Sequence, residues 1–284
     1  MPLELTRYPP PHGPLLLPVR SPATAAAAVA LEAGCRPAAL LARRAAAAWI
    51  AHGGARVLPP RVVSWTPPMP AEAWAALLAR LREVAGAFDA VAVWERRQPG
   101  RGGVGLLLGG ARGPRAFVKL RPAPAPGLEM EARVLRAAAT AAPRAFRLPA
   151  LLGAGGDGAW RWIALEVIPP FHRVPRRPPI GRVAAGVAAL LRHFPAAGAP
   201  PHWAPMHGDL TPWNLREDAA GRLWLYDWER AGWGPPGADA VLYHATAAAV
   251  RAGPAPDARA AAARWPEAAA WWARRFLARP ASTR

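Results

Sequence analysis

Several residue types are nearly missing from this 284-residue chain: among them, it has one cysteine, Cys35, one lysine, Lys119, and one asparagine, Asn214. A single cysteine excludes an intrachain disulfide framework and a cysteine-rich zinc site, and it fits a reducing compartment. Long apolar runs are also missing. Although 52% of the chain is hydrophobic, no stretch reaches the roughly 18 uninterrupted apolar residues that a membrane span needs. The start, Met1-Pro-Leu-Glu-Leu-Thr-Arg7, carries no apolar run either, so a soluble, cytoplasmic protein without a secretory leader is the expectation. Runs of like charge are absent too. A net charge of +18 invites a nucleic-acid or acidic-surface reading. The arginines, however, are scattered, with pairs at 43–44, 96–97, 176–177 and 274–275. No zinc-finger, RNP-type or sustained basic-helix pattern accompanies them, and no specific nucleic-acid partner is expected.

What is abundant is alanine, arginine, proline and glycine, residues of GC-rich codons. Such a chain writes arginine wherever a positive charge suffices, so its one lysine marks a place where arginine does not. Ammonium is a compact point charge, whereas guanidinium is a wide planar fork. Lys119 lies in Ala116-Phe-Val-Lys-Leu120, which reads as a strand. Before it come a strand at 90–94, a glycine-rich turn at 98–103, a second strand at 104–108 and another tight turn. Strand, glycine turn and strand leading to a strand with one lysine is a nucleotide-covering arrangement. Gly102 and Gly103 would let backbone N–H groups approach phosphates without interference from a Cβ.

Elsewhere the pattern is mostly helical. Two short helices are read within 23–52, and an amphipathic one from Pro70 to about Ala87 carries Trp74, Leu77, Leu78, Leu81 and Val84 on one stripe. A helix beginning near Gly127 turns Leu128, Met130, Val134 and Leu135 inward, and places Glu131, in preference to Glu129, where it can reach the lysine. Trp160–Val167 is a central strand closed by Pro169-Pro170, and backbone groups from Glu166 to Ile168 would meet an adenine there. Helices are further expected at 180–194, 240–250 (with Asp239 as its N-cap) and from about 266.

The chain is organised around Met206-His-Gly-Asp-Leu-Thr-Pro-Trp-Asn-Leu215 and the following Leu223-Trp-Leu-Tyr-Asp-Trp-Glu229. The polar turn at 217–221 makes these a hairpin, bringing Asn214 and Asp227 together at its open end. A carboxylate and an amide oxygen so placed suit Mg²⁺, which prefers a few protein oxygens plus substrate phosphates. Asp209, at the mouth of the same cleft, is a candidate base.

Together, HGDLTPWN (207–214), YDWE (226–229), AFVKL (116–120), EARVLR (131–136) and IALEVIPP (163–170) resemble the aminoglycoside phosphotransferase / choline kinase-like family. The resemblance covers about 88–245, and its most specific part is H-x-D-x-x-x-x-N followed by D-W-E. It implies an α+β, two-lobed, protein-kinase-like fold, with a small antiparallel-sheet N-lobe and a mainly helical C-lobe. Residues 1–68 would be an N-terminal helical extension of unassigned role, 69–168 the nucleotide-binding N-lobe, and 169–284 the catalytic and substrate-binding C-lobe. The implied activity is transfer from ATP to a hydroxyl of a small molecule. Asp209 would be the catalytic base, Asn214 and Asp227 the Mg²⁺ ligands, and Lys119 the phosphate-holding residue fixed by Glu131. His207 would brace the loop. A catalytically silent nucleotide-binding or scaffold protein is the alternative, against which the intact set Lys119, Asp209, Asn214 and Asp227 argues.

Charge bears on the acceptor. After residue 170 the acids are Asp209, Glu217, Asp218, Asp227, Glu229, Asp239, Asp257 and Glu267. The motif and its turn use all but Asp257 and Glu267, which is too few for a polycation site. A neutral or anionic sugar-like acceptor is expected, with a singly charged amino alcohol over Trp265, Trp271 or Trp272 as the lesser option.

Overall fold

Alternating apolar segments between glycine turns build one antiparallel sheet, and helices with a single apolar stripe cover it or pack on one another. The computed structural model describes residues 4–10, 13–32, 37–59, 61–62, 65–95, 102–111, 113–196, 198–251 and 256–277. The chain divides into two units, the first comprising Met1–Glu32, Ala38–Leu128 and Pro149–Phe171. The second comprises Ala33–Pro37, Glu129–Leu148 and His172–Arg284. One unit is built on a sheet and the other is mainly helical, the α+β arrangement expected of a kinase-like fold.

The first unit contains β1 (Leu5–Tyr8), β2 (Leu15–Pro18), α1 (Pro22–Leu31), α2 (Pro37–Ala51), β3 (Arg61–Val62) and α3 (Ala71–Ala85). It continues with β4 (Ala90–Glu95), β5 (Val104–Gly110), β6 (Gly113–Pro122), β7 (Leu151–Gly156) and β8 (Trp160–Leu165). The strands form one sheet in the order β3-β1-β2-β4-β5-β6-β8-β7. Strand residues point alternately to its two faces. Val91, Val93, Leu106, Val118 and Leu120 face one way and pack with Leu77 and Leu81 of α3. Leu15, Leu17, Ala92 and Leu107 face the other way and pack with Ala25, Ala28 and Val29 of α1, and Phe117 leans on that cluster.

The three strands ending at Lys119 and the amphipathic helix before them lie close to where the pattern puts them. Residues 1–68 do not match their description as a helical extension: α1 and α2 are present, but the segment also gives β1, β2 and β3 to the sheet. Leu15-Leu-Leu-Pro18 is too short and too flanked by prolines to announce a strand. Its pairing is long-range, with Leu15 opposite Trp94 and Leu16 opposite Val93.

The second unit takes α4 (Pro126–Ala141) from Glu129 onward, then α5 (Ile180–Leu191), β9 (Ala204–Met206), β10 (Leu215–Glu217), β11 (Leu223–Leu225) and β12 (Gly232–Gly234). It closes with α6 (Ala238–Arg251), α7 (Pro256–Arg264) and α8 (Pro266–Leu277). α5 stops at Leu191, three residues before the expected end, and α6 starts at Ala238, so Asp239 is in its first turn and not its cap. β10 and β11 pair antiparallel as the expected hairpin, Leu215 opposite Leu225. Asp218 secures the turn: it accepts from the Ala220 and Arg222 N–H groups, from Arg222 Nε at 2.7 Å and from Trp224 Nε1 at 3.1 Å. Burial alone would push its carboxyl up, but these donors hold it down at about 2.

Candidate active site

In the second unit, the 207–214 loop is folded on itself by its own sequence. Pro212 and Trp213 are the two central residues of a turn in which the Asn214 and Leu215 N–H groups both donate to the Thr211 carbonyl, at 3.0 and 2.9 Å. The Asn214 side chain then closes the loop, its Nδ2 donating to the Asp209 carbonyl at 2.9 Å. That commits the amide nitrogen and leaves Oδ1 as the atom that could meet a cation. Tyr226 N–H donates to the Asn214 carbonyl at 3.2 Å, so Asn214 and Asp227 stand at the same end of the hairpin, as the spacing predicts.

Two buried groups hold the loop from behind. Asp239, 4% exposed, accepts from the His207 N–H at 2.7 Å and the Gly208 N–H at 3.0 Å. His207 is fully buried, its ring centroid 4.5 Å from that of Trp228, and its Nδ1 accepts from the Asp209 N–H at 3.2 Å. An accepting Nδ1 is an unprotonated one, so this imidazole braces the loop in the neutral form. Gly208 has φ +75°, and a Cβ there would come within 2.1 Å of the Arg230 carbonyl oxygen, so only glycine fits. Arg230 is thereby packed beside the loop, its Nη1 3.9 Å from Asp209 Oδ1.

Asp239 carries a measurable signature. Burial raises its carboxyl from 3.8 to about 6, helped by the nearby Asp209 charge and opposed by the two N–H donors. A folded-state value above the unfolded one means that folding takes up a proton between those values, so this group's contribution to stability falls as pH rises from about 4 to about 6. Asp239→Asn is expected to remove that slope, measured as the difference in unfolding free energy from wild type across pH 4–6.5. Asp239→Ala leaves two buried N–H groups without their acceptor and is expected to cost about 3–5 kcal/mol in chemical denaturation.

Asp227 has φ +68°, a left-handed conformation that aspartate tolerates better than most residues but still at a cost. The next residue holds it there. Trp228 is fully buried, with its ring 5.9 Å from Phe146 and its Nε1 donating to the Leu225 carbonyl at 3.2 Å. The anchored indole leaves the two flanking carboxylates together. One oxygen each of Asp227, Glu229 and the fully buried Glu131 lie within 4.8 Å of one another. Carboxylates this close repel, and a divalent cation or a shared proton relieves that repulsion. The donor set, carboxylates with the Asn214 oxygen nearby in the hairpin, consists of hard oxygens and fits Mg²⁺.

Sequence reading placed Glu131 on the inner face of its helix, and it is buried while Glu129 is exposed. Its grouping with Asp227 and Glu229 was not foreseen, because a tertiary contact leaves no trace in helical phase. The signal available was D-W-E itself, two acids either side of a residue that must be buried.

The remaining candidates lie in the first unit. Lys119 is buried at mid-strand in β6, paired with Gly105 on one side and Ile163 on the other. Gly105 is opposite Trp94 on its other side, so Trp94, Gly105 and Lys119 form one row across the sheet. A Cβ at Gly105 would sit 3.1 Å from the Phe117 ring, which itself meets Trp94 edge-on at 5.5 Å. This half-buried aromatic pair beside the lysine was another feature not read from the sequence. Gly102 is exposed and Gly103 has φ +107°, where a Cβ would strike the Leu120 carbonyl oxygen at 2.2 Å. The rest of the expected glycine turn, residues 98–101, lies outside the described residues. Glu166 is exposed, and its N–H donates to the Ala150 carbonyl at 2.8 Å.

One option for the acceptor is closed. The faces of Trp265 and Trp271 carry the chain's own Arg264 and Arg275, at 4.9 and 4.1 Å. Trp272 is 6% exposed and donates to the Ala238 carbonyl. These rings are core and intramolecular cation partners, not a cage for an amino alcohol.

Residues 172–277 match the family model described as the phosphotransferase enzyme family, and this segment contains both the loop and the hairpin. Over this segment, somewhat more than a third of the chain, the protein is similar to phosphotransferases, enzymes of a kinase-like class. No curated protein matches the chain. Among solved structures it is similar to aminoglycoside-3'-phosphotransferase of type VIII, at 20% identity over 75% of this chain and 95% of that one, TM-score 0.46. Another is the aminoglycoside phosphotransferase APH(3'')-Id from Streptomyces rimosus in complex with ADP and streptomycin, at 18% identity, 67% and 90% coverage and TM-score 0.40. A putative fructosamine-3-kinase from Haemophilus somnus follows, at 12% identity, 74% and 93% coverage and TM-score 0.41. Identities and scores this low transfer neither a nucleotide nor an acceptor to the present chain.

Proposed function

We propose that this protein transfers the γ-phosphate of ATP to a hydroxyl of a small molecule, with a neutral or anionic sugar-like acceptor favoured. The observation that carries the reading is the closed loop that joins Asp209 to Asn214 through a 2.9 Å hydrogen bond, beside the carboxylates of Asp227 and Glu229. Asp209 accepts the acceptor's proton and aligns its oxygen with the phosphorus. Asn214 and Asp227, with Glu229, would hold Mg²⁺, which supplies charge neutralisation to the phosphates when bound. Lys119 is assigned to the α- and β-phosphates, and the backbone from Glu166 to Ile168 to the base.

The acceptor preference rests on charge. Glu217 pairs with Arg173 at 3.0 Å, Asp218 with Arg222 at 2.7 Å, and Glu267 with His202 at 3.0 Å. Asp239 is committed to the loop backbone. Among the described acids after residue 170 and outside the reacting centre, Asp257 on α7 and Glu267 are exposed, and Glu267 is engaged by His202. The test is a screen of ADP release against neutral sugars, sugar acids and kanamycin, with Asp209→Ala as control. A micromolar KM for kanamycin that weakens with salt would overturn the preference, and no turnover with any hydroxyl compound would favour the silent alternative.

Lys119→Arg is expected to lose about 10²-fold in kcat/KM although the charge is kept, because a fork does not fit an ammonium-sized site. Normal kinetics in this variant would make the one lysine an accident of composition.

A further inference from the structure

Of the fourteen tryptophans in the chain, Trp213 is one of two that are exposed, at 41%, and it sits inside the loop that carries Asp209. Its neighbours Thr211, Pro212, Asn214 and Leu215 are all buried. The indole is therefore not exposed because the whole segment is loose. Its backbone is fixed on both sides: the Tyr226 hydroxyl donates to the Trp213 carbonyl at 2.7 Å, and the Asn214 N–H closes the turn on Thr211. Trp213 is the third residue of that turn. Among the described residues, no ring or guanidinium lies against it, whereas Trp265 and Trp271 in the same unit each carry one. A rigidly mounted, uncovered indole on this loop has the form of a binding platform.

We propose that Trp213 is the acceptor-binding platform, stacking against the C–H face of a pyranose ring whose hydroxyl is presented to Asp209. The inference rests on the phosphotransferase reading above and narrows its acceptor to a sugar ring, neutral or carrying a carboxylate. An indole face attracts either the weakly positive C–H face of a sugar or a full cation. The cation already beside the base favours the first. Arg230 Nη1 lies 3.9 Å from Asp209 Oδ1, and its side chain is 37% exposed, so the mouth of the site already holds a guanidinium that repels an ammonium and accommodates a sugar acid. Each piece is in the second unit.

The experiment is saturation-transfer NMR on the full chain with Mg-ADP present, using methyl β-D-glucopyranoside, methyl β-D-glucuronide and kanamycin as probes. Wild type is expected to saturate the C–H groups of one pyranose face. Trp213→Phe keeps that pattern, while Trp213→Ala weakens the dissociation constant at least about fivefold with Mg-ADP affinity retained. An Ala variant that binds the pyranosides as wild type does would overturn the proposal, and so would a wild type that binds neither of them. Kanamycin binding tightest of the three, and through Trp213, would replace stacking with cation recognition and overturn it as well. None of these outcomes touches phosphate transfer to some other hydroxyl compound. Conversely, pyranoside binding through Trp213 without any phosphate transfer would sink the phosphotransferase reading and leave the platform standing.

Discussion

Asp209→Ala is expected to lower kcat by about 10²–10⁴, the usual cost of removing a general base, while Mg-nucleotide affinity stays close to that of wild type. The separation follows from what Asp209 touches. Its carbonyl is held by Asn214 and its N–H by His207, so the backbone path of the loop does not depend on the carboxylate. The carboxylate lies 3.9 Å from Arg230 Nη1, a distance too long for a strong pair. In the proposed reading, removing it takes away the group that receives the acceptor's proton. Single-turnover phosphate transfer together with nucleotide titration measures both halves, and full turnover in the variant would end the assignment.

Asp227→Ala is expected to fail differently. Metal-dependent nucleotide affinity should fall by more than about a hundredfold, beyond the upper end of what an outer partner of a metal ligand costs. Stability should not fall with it. Asp227 sits within 4.8 Å of two other carboxylates, so its removal relieves repulsion, which offsets the cost of alanine at its left-handed backbone position. Asp227→Asn separates charge from shape, and in it the Mg²⁺ concentration for half-maximal activity should rise. An unchanged Mg²⁺ requirement in both variants would refute the ligand role. Together the two substitutions distinguish a group that faces the acceptor from one that faces the metal.

The parts of this molecule that were legible in the sequence are those whose signals are local. Hydrophobic alternation and glycine turns mark β4, β5 and β6, and the spacing of Asp209, Asn214 and Asp227 around a polar turn marks the hairpin. The helical phase of Leu128, Val134 and Leu135 correctly puts Glu131 inside. What stayed hidden depends on distant partners. β1 and β2 need β4 to be strands at all, and Glu131 meets acids about a hundred residues further on only through tertiary packing. Composition pointed to Lys119 and Asn214, but it could not say that Gly105 makes room for an aromatic pair beside the lysine.

The strands contributed by the first residues of the chain also settle how the sheet meets water. β4, Ala-Val-Ala-Val-Trp-Glu, is covered on one edge by β2 and on the other by β5, and Arg7 ties β1 to Glu95 at its end with a 2.6 Å ion pair. The sheet then ends in β3, which is two residues long, and on the far side in glycine-rich β7. Short or irregular edges are poor templates for another chain. Take away β1 and β2, and the outermost strand becomes a flat, apolar, six-residue edge of the kind that recruits copies of itself. A chain shortened from its start would therefore keep every residue of the 207–214 loop and still be lost to β-aggregation.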